Sequence, residues 1–149
     1  MAVQKTELVR RYRRQRPSVR AARGDARAIA DKWQEPQITG DLELLVSEVV
    51  TNAVIHGTTG RGSQVQVSYQ LLDDRLRVEV RDAASGRPCV LRTTSVGGDL
   101  REYGRGLIVV SSLAYRWAVV PRVMGKSVWF EILLNKQAAS DTPEVKHGA

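Results

Sequence analysis

The stretch Ser47 to Gly57, SEVVTNAVIHG, sets Glu48, Asn52 and His56 at four-residue intervals. At the pitch of an α-helix these three side chains stack on one face. Leu42, Leu45, Val46, Val49, Val50, Ala53 and Val54 follow the i, i+3, i+4, i+7 spacing of a helix pressed against a core. The stretch therefore predicts a helix that buries one side and offers a carboxylate, an amide and an imidazole on another. Such groups suit holding a hard cation and moving a proton. Taken alone, the pattern is better read as a capped amphipathic helix whose Asn and His satisfy neighbouring backbone.

Upstream, Pro17 and Ser18 open a first helix, with Ser18 as its N-cap and Val19, Ala22, Ala26, Ile29, Ala30 and Trp33 at helical spacing. Pro36 ends that helix, and Thr39 or Asp41 caps the next. Downstream, the glycines of 57–62 predict a loop. Val65, Val67, Tyr69 and Leu71 then alternate with polar residues, and Leu76, Val78 and Val80 do the same after a turn at Asp73 and Asp74. Together they read as an antiparallel hairpin with one face inward. Its second strand ends in Asp82, where a carboxylate can meet a ligand, and the small residues Ala83 to Gly86 would let a flat group approach the backbone.

Residues 87–103 lack periodicity and predict a long binding loop or lid. The loop ends in Gly104, Arg105, Gly106 and Leu107, followed by a third helical pattern. Glycines before a helix let backbone N–H groups approach phosphate, and an arginine adds a partner. Two closing strands follow at 115–121 and 127–134, with Trp117, Val119, Val128, Phe130 and Ile132 inward and Trp129 and Glu131 facing out or covering an edge.

The chain has 149 residues, 42% of them hydrophobic, which suits one domain. No run approaches the roughly 20 apolar residues of a membrane span, and no apolar signal region follows the N-terminus, so a cytoplasmic protein is expected. A lone cysteine, Cys89, argues against internal disulfides and cysteine metal clusters. The net charge of +7 is concentrated at the N-terminus: through Arg27 there are nine basic residues and two acidic ones. This reads as a basic arm, solvated or partly disordered, able to seek acidic protein, nucleic acid or lipid. With only Tyr12 among the arginines it makes no stacking platform, and nucleic acid is not an expected partner.

A helix with Glu48, Asn52 and His56, a strand ending in Asp82, a lid, and a Gly-Arg-Gly segment before a helix occur in that order. The order resembles the Bergerat-fold GHKL ATPases, and within them the RsbW-type anti-sigma-factor serine/threonine kinases. SEVVTNAVIHG looks like that group's N box, VEVRDAASG like its adenine box, GRGLIVV like its second glycine box and GKSVWFEI like its terminal strand. The Walker-type GxxxxGK[ST] loop of another ATPase class is absent. The implied fold is an α+β two-layer sandwich, with helices on one face of a mostly antiparallel sheet. The implied organisation is a basic arm at 1–17, a histidine-kinase-like ATP-binding domain at 18–135 and a polar tail at 136–149.

By this resemblance the cofactors are ATP and Mg²⁺. Asn52 would hold the metal, Glu48 would take a proton from the attacking hydroxyl, and His56 would lie near the phosphates. Asp82 would accept the adenine amino group, Gly86 would leave space for the base, and Ser127 would contact adenine through a water or hydroxyl. Gly104, Arg105, Gly106 and Leu107 form the phosphate-binding segment. In the adenine box Ala84 stands where many relatives have glycine. The implied function is a kinase that sequesters a sigma factor and phosphorylates a STAS-type anti-anti-sigma protein, in a group whose members often form homodimers. The alternative is a nucleotide-gated binding module of the same fold with little or no kinase activity.

Overall fold

The computed structural model describes residues 6–56, 64–83, 110–122 and 125–134. In chain order these form β1 (Glu7–Arg13), α1 (Pro17–Lys32), a 3₁₀ turn (Pro36–Ile38), α2 (Thr39–His56), β2 (Gln64–Leu71), β3 (Arg75–Ala83), β4 (Arg116–Arg122) and β5 (Gly125–Leu133). The five strands make one sheet in the order β1-β2-β3-β5-β4, and every neighbouring pair is antiparallel. Both helices lie on one face, as the α+β two-layer expectation requires.

The core forms where alternating strand residues meet the helix stripes. Val65, Val67 and Tyr69 from β2, Leu76, Val78 and Val80 from β3, and Val128, Phe130 and Ile132 from β5 are buried. They share one cluster with Ala22, Ala26 and Ile29 of α1 and with Leu42, Leu45, Val46, Val49, Val50 and Ala53 of α2. Val54, expected inside, is only half-buried against it. Removing this much apolar surface from water contributes about 25 cal/mol per Å², so the helix that carries the predicted site is held mainly by its core face. Residues 110–113 are helical, with Val110 buried, so the described part of the third helical pattern agrees with expectation.

The structure corrects several readings of the N-terminal half. Glu7–Arg13, expected as part of a solvated arm, is an edge strand registered on β2 from Glu7 opposite Gln70 to Arg13 opposite Gln64. Leu8 and Tyr12 turn toward the helices and are half-buried, and the Tyr12 hydroxyl donates to Asp25 Oδ2 of α1 at 2.5 Å. Burial first, and then that hydrogen bond, push the Tyr12 phenol above its ordinary range. Ser18 is not a cap. Arg16 occupies the N-cap position in αR geometry with Pro17 just inside the helix, and the buried Ser18 hydroxyl donates to the Arg13 carbonyl at 2.6 Å, tying strand to helix.

Pro36 does not itself end α1. The helix stops at Lys32, with Gln34 at φ 58 and bonds from Gln34 N to Asp31 O (3.0 Å) and from Glu35 N to Ala30 O (2.9 Å). This is a Schellman closure with a glutamine where glycine is usual. Neither Thr39 nor Asp41 sits outside α2 as a cap, because the 3₁₀ turn runs into the helix with Thr39 already at φ −55, ψ −47.

On the sheet face away from the helices, Glu131 is 1% exposed, although its position outward from the core matches the alternation. Arg116 Nε donates to Oε1 at 2.8 Å and Arg77 to Oε2 at 3.0 Å, while Arg75 Nε lies 3.3 Å from Oε2 as an ion-pair contact. Burial alone would push the carboxyl up. The bonds from Arg116 and Arg77, with their charge, outweigh burial and hold it below the usual carboxylate range. One carboxylate thus ties β3, β4 and β5 together.

Candidate functional site

Glu48, Asn52 and His56 all fall within the single helix Thr39–His56. Their environments differ. Glu48 is half-exposed, whereas Asn52 is 7% exposed and its Nδ2 has no hydrogen-bond partner among the described residues. A buried amide without a partner costs about 1–3 kcal/mol, so its persistence marks a place where a ligand can supply the missing contact.

Asn52 lines a small recess together with Val49, Ala53, Val80, Asp82, Lys126 and Val128. The geometry follows from alternation. Val80 and Asp82 share one side of β3, Lys126 and Val128 share the same side of β5, and α2 closes the space above. Asp82 is 3% exposed, deep against an apolar floor. The recess has room for about one water, ≈ 10 Å³, so the described residues form at most the floor of a site. Asn52 and Asp82, separated by thirty positions in sequence, both line this recess.

Ser127 is fully buried but does not line this recess, because alternation turns it to the opposite side of β5. Lys126, which the sequence reading did not single out, lines the recess with Asp82. The signal was available: Lys126 has the strand parity of Val128, an inward residue, and Ser127 that of Trp129. Arg14 is a second residue missed. Its Nη1 donates to the Val54 carbonyl at 2.7 Å, placing a cation on the last turn of the site helix, where the helix dipole favours positive charge. The expectations for Ala84, Gly86, Gly104, Arg105, Gly106 and Leu107, and for the lid at 87–103, lie outside the described residues, as does the side chain of His56.

Residues 13–132 match the model of the histidine kinase-like ATPase domain. The chain belongs to this family. Among curated proteins, it is 33% identical over 76 residues to an anti-sigma F factor of Clostridium acetobutylicum, a stretch that covers 48% of this chain and 53% of the relative. The chain thus spans about half the length of that relative. Membership in an ATPase family implies nucleotide binding, and the five-stranded antiparallel sheet agrees with the family's α+β fold. No described helix is long and apolar enough to cross a membrane.

The donor set fits a magnesium ion held jointly with a nucleotide. Among the described residues no group of three or more His, Cys, Asp or Glu side chains could hold a metal. Mg²⁺ needs only one or two protein ligands when phosphates and waters supply the others. The Asn52 amide, buried and with its Nδ2 unpartnered among the described residues, can turn its oxygen to such an ion.

Proposed function

We propose that the chain binds ATP with Mg²⁺ and acts as a protein-serine/threonine kinase of the anti-sigma type. In this reading it sequesters a sigma factor and transfers the γ-phosphate to a Ser or Thr of a STAS-type anti-anti-sigma partner. The observation that carries the reading is the meeting of Asn52 and Asp82 in one recess, with Glu48 one helical turn before Asn52.

Each residue has a defined task. Asp82 accepts a hydrogen bond from the adenine amino group, which discriminates against guanine because guanine presents a carbonyl there. Val80 and Val128 supply the apolar floor under the base. Asn52 orients the metal, which when bound neutralises charge on the phosphates. Glu48, half-exposed and so reachable by a partner protein, accepts the proton of the attacking hydroxyl as its oxygen bonds to the γ-phosphorus and the bond to ADP breaks. Leu44, 44% exposed one turn before Glu48, and Ile55, 57% exposed two turns after it, give that helix face apolar contacts for a protein acceptor.

Incubation with γ-labelled ATP and STAS proteins tests the reading. Label is expected on a STAS Ser or Thr with the wild type and strongly reduced label with Glu48→Gln. ATP binding without transfer to any STAS protein would leave a nucleotide-gated binding module and exclude the kinase.

A further inference from the structure

The inward rows of β3 and β5 are apolar until each ends in a charge. On β3 the row runs Leu76, Val78, Val80 and then Asp82; on β5 it runs back through Ile132, Phe130 and Val128 to Lys126. The register of the two strands extends to Arg81 opposite Ser127, so one step further Asp82 stands opposite Lys126. Directly opposed residues hold their Cβ atoms about 4.5–5.5 Å apart. A carboxylate and an ammonium, 3% and 9% exposed, thus share the recess that Asn52 lines. On its other flank Lys126 is registered on Pro121, which carries no charge, and Asp82 is the one acidic side chain among the described residues lining the recess.

Two buried opposite charges are a poor way to hold strands together, since well-packed apolar residues of similar volume often do as well or better. They are a good way to hold a flat group that offers a donor beside an acceptor. The carboxylate only accepts, and the ammonium only donates, with three N–H groups on a flexible stem. Adenine offers an amino group where guanine offers a carbonyl, and guanine carries N–H groups beside that carbonyl. Facing Asp82 alone, the guanine carbonyl meets a second acceptor and the base is rejected. With Lys126 opposite Asp82, the carbonyl accepts from the ammonium while the carboxylate accepts from the neighbouring N–H groups.

We propose that Lys126 is a base-reading residue which, together with Asp82, lets the site take guanine as well as adenine nucleotides. The inference rests on the nucleotide reading of this recess and revises the selectivity that Asp82 would give by itself. A phosphate contact suits this ammonium less well, because the carboxylate opposite it repels phosphate.

The test is calorimetric titration of Mg-ATP and Mg-GTP into the full chain and into Lys126→Met and Lys126→Gln, each checked for folding by circular dichroism. Wild type is expected to bind both nucleotides, with affinities within about tenfold of each other. Lys126→Met keeps the adenine amino contact but sets the guanine carbonyl against a carboxylate, so GTP affinity is expected to fall about tenfold or more beyond any fall in ATP affinity. Lys126→Gln retains an N–H donor and is expected to lie between. A merely structural loss would weaken both nucleotides alike and leave their ratio unchanged, and the wild-type ratio decides alone should the variants misfold. Binding of ATP but not GTP by the wild type, or an unchanged ratio in folded Lys126→Met, would overturn the inference and leave the ATP reading standing. Binding of neither nucleotide by the wild type would overturn both.

Discussion

Replacing Glu131 by glutamine removes one charge and almost no volume from the place where β3, β4 and β5 are tied together. A hydrogen bond to a charged group contributes about 1.5–3 kcal/mol when well formed. Glu131 receives two such bonds, at 2.8 and 3.0 Å, and a looser 3.3 Å contact. Burial of the carboxylate opposes them, and the arginines, 30–54% exposed, regain water when their partner is neutralised. The full penalty of an abandoned buried charge is therefore not incurred, and a net loss of about 2 kcal/mol near neutral pH is expected. The sign with pH follows from the lowered folded-state pKa. The stability from ionisation is fully present above the unfolded value of about 4.3 and is lost as pH falls through the depressed folded value. Urea unfolding of wild type and Glu131→Gln should show the gap near neutrality and a shrinking gap at acid pH. A difference below about 0.5 kcal/mol near neutrality, within the range of an ordinary surface change, or a gap that stays constant with acid, would refute the reasoning.

Other perturbations read other links. Tyr69 is fully buried and its hydroxyl has no partner among the described residues, so Tyr69→Phe should leave stability unchanged or raise it by up to about 1 kcal/mol in urea unfolding. Gln34→Gly relieves a left-handed residue at the Schellman closure of α1 and should stabilise by about 0.5–1 kcal/mol, visible as a higher Tm. Glu48→Gln should spare Mg-ATP affinity in calorimetry and lower phosphoryl transfer by about 10²–10⁴-fold, the usual contribution of a positioned base.

The legible parts of the fold were those with one clear period. α2 announces itself by apolar residues at helical spacing, and β2 and β3 by strict alternation around Asp73 and Asp74. β1 was hidden because an edge strand needs few apolar residues and tolerates charge. Only Leu8 and Tyr12 turn toward the helices as apolar anchors, and the arginines that looked like a solvated arm are what keeps such an edge soluble. Glu131 was assigned the correct face, but its burial depends on arginines from two other strands, which no local pattern carries.

The same contrast holds at the site. Asn52 and Asp82 were readable as chemistry, yet their meeting depends on α2 packing across β3, with Val49 and Ala53 in one cluster with Val78 and Val80. Lys126 lines the recess and Ser127 does not, because one position of parity reverses every side chain on a strand. Arg14 was invisible because it serves α2 across forty positions of sequence, through a backbone carbonyl that any residue would present.

The most direct test of the nucleotide site is calorimetric titration of Mg-ATP into the wild type and into Asn52→Ala, with circular dichroism to confirm that both are folded. The account predicts saturable binding by the wild type and none by the variant. Undiminished affinity in folded Asn52→Ala, or no binding by the wild type, would contradict it.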